Sequence, residues 1–451
     1  MKLAAVGTLV ATWADQWRAR AGPAPADPDG GGQPGGSGQP GGGGQPGGDP
    51  EVVISEVEVL VSGRPGLLDV IAAVDGRPVH VVLGLHRPGD EVHLLRTHDQ
   101  PVLGLLEDDL GLALVVDALR DAELAPLVLS AVTGTPADHR PVVPLVDTRE
   151  VVTLAFGDRV TLSVFGWLGR SPDPAVDLLV ALDDAGFNHL PAPLARWRRA
   201  GRDLGVVQEV HPGSTAAWAL ALTSLRDLYA RGGHPEDAGG DFSPEARALG
   251  TMTARMHLAL DRAFGRRVEP VADWLDRIEA TATTAPRCAL DDRVTAALAA
   301  LRAADLRAAV VQTHGDFHLD RIARTDHGWV VADCRPGGIP PGGDVPVMRS
   351  PLADVADLLW SLHRAALAAT ADRDPADRAV VVPLADAWET RNRRAFMTGY
   401  LATPGIGGLL PTNRDHVLAL IAAFELAREA GAAGAGGVPG APGAPGRPGT
   451  V

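Results

Sequence analysis

Lysine is almost absent from this 451-residue chain. Lys2 is the only one, so arginine carries every other fixed positive side-chain charge. A phosphate-binding or nucleophilic lysine within the folded body is therefore excluded. Cysteine is scarce as well, since Cys288 and Cys334 are the only two. Two such cysteines form neither a disulfide framework nor a metal-ligand pattern, and they are typical of a protein of the reducing cytoplasm.

An excess of positive charge is also missing. The formal net charge is −15 and the isoelectric point is about 5.3, whereas a nucleic-acid-binding protein presents a basic face. No nucleic-acid partner is therefore expected. No apolar run reaches the roughly 20 residues of a membrane span, so no membrane partner is expected either. Residues 1–11 resemble the start of a signal peptide, but no cleavage pattern follows them, and we predict a cytoplasmic location.

Glycine and proline, in contrast, are abundant in two segments. Residues 22–50 repeat GQPGG three times, and such a composition buries too little to offset the loss of chain entropy. We therefore predict a flexible insertion at 22–50 and, for the same reason, a disordered tail at 431–451. The hydrophobic share of 45% indicates that the rest of the chain is globular.

Strand patterns precede helix patterns along the chain. Val- and Leu-rich runs broken by turn residues, from 51 to about 134, predict a set of strands followed by a helix. Asp75-Gly76-Arg77 predicts a tight turn between two of these strands. Residues 142–168 and 204–212 predict further strands on either side of a helix at 173–187. Beyond Trp218 the apolar residues recur at helical spacing. The order of these patterns predicts an α+β fold.

The most informative stretch is residues 310–336. Two apolar runs flank the polar loop HGDFHL, so Asp316 and Asp333 are expected at the same end of a hairpin-like unit. Such a pair of carboxylates suits phosphoryl transfer, because one can orient or deprotonate a hydroxyl while the other holds a divalent cation. An exposed loop is the alternative for a single Asp, but the full pattern is far more specific.

The string HGDFHL with the later WVVAD resembles the catalytic and metal loops of the aminoglycoside-phosphotransferase-like kinases. The similarity is closest to the actinobacterial maltokinases and glucosamine kinases, and it extends in order over residues 142–429 through segments such as FGDRVTLSVFGWL and LGTMTARMHLAL. The resemblance implies a bilobal, protein-kinase-like α+β fold with an N-terminal β-rich cap. It also implies an ATP- and Mg²⁺-dependent phosphotransferase whose partner is a small-molecule sugar, with the oligomeric state left open.

The resemblance also divides the chain into domains. The implied parts are an N-terminal segment of the cap (1–21), the flexible insertion (22–50), the cap (51–140), the small lobe (141–212), the helical large lobe (213–430) and the tail (431–451). Sequence patterns alone do not give these boundaries.

Residue roles follow from the resemblance one position at a time. Asp316 is implied as the catalytic carboxylate and Asp333 as the metal ligand. Gln208 and Glu209 match the hinge that reads the adenine, with an exposed strand end as the alternative. Asp177 lies where the family usually has a glutamate. The candidate sugar contacts are His318, Trp388, Glu389 and Asn392.

Several of these residues have structural alternatives. A helix that packs Trp388 into the core explains the segment AWETRNRRAF equally well. His314 and His318 suit histidines bonded to loop backbone, and His257 lies on an apolar helix face. Asp354 and Asp357 follow Ser350, so helix capping explains at least part of that motif; all these residues are read directly from the chain.

Three positions depart from the family pattern. Ser163 stands where the phosphate-binding lysine is expected, and Arg321 stands where a glutamine or asparagine usually ligates the second metal ion. A guanidinium only donates hydrogen bonds and cannot ligate a cation. Arg335 follows Cys334 where the family commonly has Phe-Glu.

Three interpretations stay open. In the first, Arg321 and Arg335 bind nucleotide phosphates directly and the protein remains a sugar kinase. In the second, Arg321 pairs with Asp333 and fills the metal site, leaving a pseudokinase with a binding or regulatory role. The third is an interaction protein that recruits partners through its low-complexity segments.

Overall fold

The computed structural model describes residues 2–21, 50–89, 102–136, 141–169, 172–237, 240–283, 292–334 and 348–434. The segments predicted from glycine and proline content, and Arg335, lie outside these ranges apart from residues 50 and 431–434. The mixture of sheets and helices confirms the α+β expectation. Two compact units divide the chain: the first holds residues 1–171 and 194–208, and the second holds nearly all the rest.

The first unit opens with helix α1 (Leu3–Ala21) and a five-stranded sheet of order β1-β2-β3-β5-β4. Each neighbouring pair of strands is antiparallel. Asp75 and Gly76 have φ of 50° and 75°, which confirms the predicted tight turn there. The strands span Val52–Val61 (β1), Gly66–Val74 (β2), Arg77–His86 (β3), Gly104–Asp108 (β4) and Gly111–Asp117 (β5).

Helix α2 (Ala125–Thr133) follows, and then a second five-stranded sheet of order β6-β7-β8-β10-β9. The two sheets of this unit meet through a bridge between Val79 and Trp167 and through buried His80, whose Nδ1 lies 3.1 Å from the carbonyl oxygen of Phe165. The strands span Val142–Asp147 (β6), Val151–Phe156 (β7), Val160–Phe165 (β8), Pro193–Arg199 (β9) and Arg202–Glu209 (β10).

Helices dominate the second unit. They span Pro174–Asp184 (α3), Ala217–Arg231 (α4), Ser243–Phe264 (α5), Val271–Thr283 (α6), Asp292–Ala303 (α7), Leu352–Ala371 (α8), Pro375–Leu401 (α9) and Arg414–Gly434 (α10). Among the described residues, no helix combines the length and the apolar character that crossing a bilayer requires.

Helices α5 and α9 cross with their backbones in close approach. A Cβ at Gly250 would overlap the carbonyl oxygen of Phe396, and a Cβ at Gly399 would overlap that of Arg247. Glycine is required at both positions because nothing larger fits between the two backbones.

Two three-stranded sheets complete the second unit, with orders β11-β14-β15 and β12-β13-β16. The predicted hairpin-like unit is therefore wrong in one respect: β13 and β15 lie in different sheets, because β14 intervenes and pairs with β15. Asp316 follows β13 and Asp333 follows β15. The strands span Thr215–Ala216 (β11), Arg266–Pro270 (β12), Arg307–Gln312 (β13), Ile322–Thr325 (β14), Gly328–Val331 (β15) and Met348–Arg349 (β16).

Candidate active site

One buried carboxylate, that of Asp354, fixes the loop that carries Asp316. Asp354, fully buried on α8, accepts the backbone N–H of His314 at 2.8 Å and that of Gly315 at 3.0 Å. Gly315 has a φ of 88°, which favours glycine. At the start of α8 it is Ser350 whose hydroxyl accepts a backbone N–H, at 3.3 Å. Helix capping is therefore not the role of Asp354, which fixes the turn of the loop instead.

His257 and Tyr400 support Asp354 in turn. The His257 ring lies between the carboxylate of Asp354 (Nε2, 3.1 Å) and the hydroxyl of Tyr400 (Nδ1, 3.0 Å), and both ring and hydroxyl are buried. Burial alone would raise the pKa of Asp354, but the hydrogen bond and charge of His257 outweigh it and hold that pKa below its usual value. His257 is a core residue, as one interpretation of the sequence expected.

His314 is also structural. Its Nε2 lies 2.8 Å from the carbonyl oxygen of Asp333, and its Nδ1 accepts the backbone N–H of Asp316 at 3.3 Å. Because a carbonyl oxygen only accepts hydrogen bonds, Nε2 carries the proton and the ring is neutral. The ring thereby couples the Asp316 loop to the end of β15.

Three cationic side chains surround Asp316. Arg428 Nη2 lies 2.5 Å from Oδ1, Arg321 Nη2 lies 3.0 Å from Oδ2, and His318 Nε2 lies 3.3 Å from Oδ2. Burial would raise the pKa of Asp316, but the hydrogen bond and charge of His318 and the charge of Arg428 hold it well below its usual range. This carboxylate is therefore ionised at neutral pH and is a weak proton acceptor.

Asp333 and Asp316 are joined by one guanidinium. Arg321 Nη1 lies 2.6 Å from Asp333 Oδ2, while the same side chain reaches Asp316 through Nη2. Asp333 is still 45% exposed at its side chain. Within the described ranges, no group of three His, Cys, Asp or Glu residues could hold a metal ion. The residues present do not fit a magnesium site, because a cation of the chain already occupies the space between the carboxylates.

Asp357, one turn after Asp354 on α8, is a buried carboxylate next to Arg428. Arg428 Nε lies 3.7 Å from its Oδ1, and its Oδ2 has no hydrogen-bond partner among the described residues. Burial raises the pKa of Asp357 to about 7, against the lowering effect of the Arg428 charge. Arg428 also stacks on Trp360, with its Cζ atom 5.3 Å from the ring centroid.

Glucosamine kinases resemble this chain in sequence and in fold, although no protein-family model matches it. A glucosamine kinase from Streptacidiphilus jiangxiensis is 31% identical over 316 residues, which are 62% of this chain and 66% of that protein, so the match spans just under two thirds of the relative. A solved glucosamine kinase in complex with glucosamine, ADP and inorganic phosphate covers 85% of this chain and 89% of its own, with a TM-score of 0.62 and 20% identity.

A second solved glucosamine kinase, in crystal form A, gives a TM-score of 0.60 at 21% identity over 85% of this chain and 86% of its own. Both solved structures show that this chain has the kinase-like fold of the glucosamine kinases. The expected kinase-like fold is therefore confirmed, and the predicted resemblance to glucosamine kinases is borne out by the 31% identical relative.

The residues predicted to contact the sugar lie in different surroundings. Trp388 is 1% exposed, donates its indole N–H to Ser224 at 2.9 Å and stacks on Phe242. Asn392 is fully buried and donates to the Trp388 carbonyl at 2.8 Å. Both side chains lie in the core, which is the structural alternative that the sequence left open for this helix. Glu389 is 17% exposed at its side chain and pairs with His363 at 2.8 Å.

Both ring nitrogens of His318 face carboxylates of the described residues, whereas the structural alternative expected loop backbone. Its ring stands between Asp316 (Nε2, 3.3 Å) and Asp320 (Nδ1, 3.5 Å). Burial lowers the pKa of His318, but the hydrogen bonds to these two carboxylates outweigh it and leave the pKa raised. The ring therefore carries positive charge more readily than an ordinary histidine.

Four positions were expected on the nucleotide side of the site. Gln208 is half-buried and Glu209 is exposed at the end of β10, and Asp177 is half-buried in the first turn of α3. Ser163 Oγ lies 2.9 Å from Thr153 Oγ1 on the neighbouring strand, so this hydroxyl serves the sheet. A neutral hydroxyl bonded to its neighbour cannot replace the charge of a lysine.

Proposed function

We propose that this protein transfers a phosphoryl group from ATP to a hydroxyl of a small sugar, in the manner of a glucosamine kinase. The observation that carries the proposal is the position of Asp316: an ionised carboxylate on a loop fixed through two backbone N–H groups to buried Asp354. The choice of substrates is supported by the Streptacidiphilus glucosamine kinase and by the solved neighbour, which was obtained with glucosamine and ADP.

In the reaction, the acceptor hydroxyl oxygen forms a bond to the γ-phosphorus while the bond from that phosphorus to the bridging oxygen breaks. ADP leaves, and the hydroxyl proton is released through a carboxylate or water. Because its pKa is held low, Asp316 contributes mainly by orienting the hydroxyl, and it accepts the proton only late in the transfer. Arg321 and Arg428, both within hydrogen-bond reach of Asp316, supply positive charge beside the transferred group.

A direct assay of ATP consumption with glucosamine, glucose, maltose and an aminoglycoside tests the proposal. We expect phosphorylation of at least one acceptor and a loss of more than about 100-fold in Asp316→Asn, since general acid–base residues contribute factors of this order. Asp320→Asn is the matched control, because Asp320 is a nearby carboxylate on the far side of the His318 ring. If no acceptor consumes ATP above the Asp316→Asn background, the proposal fails.

A second candidate is a pseudokinase that binds ligands without turnover. The 2.6 Å contact of Arg321 with Asp333 and the 2.5 Å contact of Arg428 with Asp316 favour it, because both carboxylates already have cationic partners. Calorimetry with ATP and glucosamine separates the two. Binding of both ligands without product would support the pseudokinase, whereas turnover that Asp316→Asn abolishes would eliminate it. We infer a cytoplasmic location in either case, since ATP is the ligand.

A further inference from the structure

Arg321 is fixed beside Asp333 by its own backbone. Its N–H donates to the carbonyl of His318 at 2.9 Å, and its carbonyl accepts the N–H of Ala332 at 2.8 Å. Strand β14 starts at the next residue and pairs with β15, with Ile322 opposite Val331. The backbone at position 321 is therefore held beside Ala332, the residue that precedes Asp333.

The Arg321 guanidinium lies between two carboxylates that would otherwise repel one another. Nη1 is 2.6 Å from Asp333 Oδ2, and Nη2 is 3.0 Å from Asp316 Oδ2. Arginine keeps its charge throughout the physiological pH range. A permanent cation thus stands at the meeting point of two carboxylates, where phosphoryl-transfer proteins ordinarily recruit a divalent ion.

A magnesium ion cannot share this position. It requires oxygen ligands at about 2.0–2.1 Å in near-octahedral geometry, and Arg321 occupies the approach to Asp333 Oδ2 without offering a lone pair. A magnesium ion bound to Asp333 Oδ2 would also lie close to the Arg321 guanidinium, and two positive charges so close together repel strongly. In the described part of the chain, three of the five guanidinium N–H donors face the two carboxylates. Two donors are left for the oxygens of a phosphate.

We propose that Arg321 is a built-in replacement for the divalent cation, so that this site excludes metal and engages phosphate-bearing ligands without it. The identity of the phosphate-bearing ligand rests on the proposed function. The exclusion of metal does not, because it follows from the charge and position of Arg321 alone.

Manganese binding without nucleotide tests the exclusion, measured by electron paramagnetic resonance on the full chain. We expect the wild type to leave Mn²⁺ free in solution and Arg321→Gln to bind one equivalent, because glutamine is neutral and offers an oxygen ligand. The double variant Arg321→Gln with Asp333→Asn should lose that site. Arg321→Lys, the charge-conserving control, should exclude Mn²⁺ like the wild type, and melting temperatures show that each variant is folded.

Two results would overturn the proposal. One is a wild-type Mn²⁺ site that Asp333→Asn abolishes; the other is a folded Arg321→Gln that still excludes Mn²⁺. A second arm uses ATP: its Kd in the wild type should differ by less than about threefold between EDTA and magnesium, while Arg321→Gln should lose about tenfold or more in EDTA. If ATP does not bind at all, the proposed function fails, because ATP is its phosphoryl donor. The manganese measurement still decides the role of Arg321 in that case.

Discussion

Arg428 contributes to the low basicity of Asp316. Its Nη2 lies 2.5 Å from Asp316 Oδ1, and its charge, after the hydrogen bond and charge of His318, holds the pKa of Asp316 down. His318 and Arg321 act on the other carboxylate oxygen. Removing Arg428 therefore takes one cation away from Asp316 Oδ1 and leaves His318 and Arg321 beside Oδ2.

Arg428→Gln should move the acidic limb of the pH–activity profile to higher pH by about one pH unit, since an adjacent opposite charge lowers a carboxyl pKa by at least that much. The measurement is kcat/KM against pH with the best acceptor. Arg364→Gln is the matched control. Arg364 lies on the same helix as Trp360 and also stacks on that ring, with its Cζ atom 5.0 Å from the ring centroid. An acidic limb that stays in place in Arg428→Gln would refute this role.

At the scale of elements, the crossing of helices α5 and α9 limits which substitutions are tolerated around the site. His257 on α5 and Tyr400 on α9 support Asp354, which holds the Asp316 loop. Close approach of the two helix backbones, which their glycines permit, makes this chain of contacts possible. Packing far from the reacting groups therefore sets the position of the loop.

Gly250→Ala should lower the free energy of unfolding by about 1–3 kcal/mol or more, because the added methyl group meets a backbone carbonyl that cannot move aside. Gly399→Ala should act in the same direction. Gly407→Ala is the control, since a Cβ there meets no atom within 4 Å. Urea unfolding followed by tryptophan fluorescence measures all three, and equal midpoints for Gly250→Ala and Gly407→Ala would contradict the close crossing.

Local sequence was sufficient for the turn at Asp75-Gly76 and the order of sheets and helices, because each depends on neighbours within a few residues. It failed where partners are remote. Arg428 lies 112 positions from Asp316, and an arginine in an amphipathic helix is usually exposed to solvent. The place of Trp388 stayed open because an aromatic residue at helical spacing suits both a core and a binding surface. Nothing in the local pattern separates those two outcomes.

For the molecule as a whole, the buried carboxyl of Asp357 makes stability depend on pH. Its pKa is about 7 in the folded protein against an ordinary value of 3.8. The folded state therefore binds more protons than the unfolded state between these values, and the free energy of unfolding falls as the pH rises from about 4 to about 7.

Asp357→Asn should remove this dependence. The difference in unfolding free energy between variant and wild type should grow in favour of the variant across that interval, by on the order of 4 kcal/mol at most. Chemical unfolding at several pH values measures it, and Asp320→Asn, which changes an exposed carboxylate, is the control. Parallel curves for Asp357→Asn and the wild type would rule out the buried titration.

The pairing of Asp316 with Arg428 also has a consequence in time. A ribosome adds roughly 5–20 residues per second, so the 112 positions between the two residues take roughly 6–22 seconds to synthesise. His318 and Arg321 emerge within five positions of Asp316, whereas Arg428 emerges only with helix α10. During synthesis, Asp316 is therefore present for several seconds before Arg428, the cation that contacts its Oδ1, has been added to the chain.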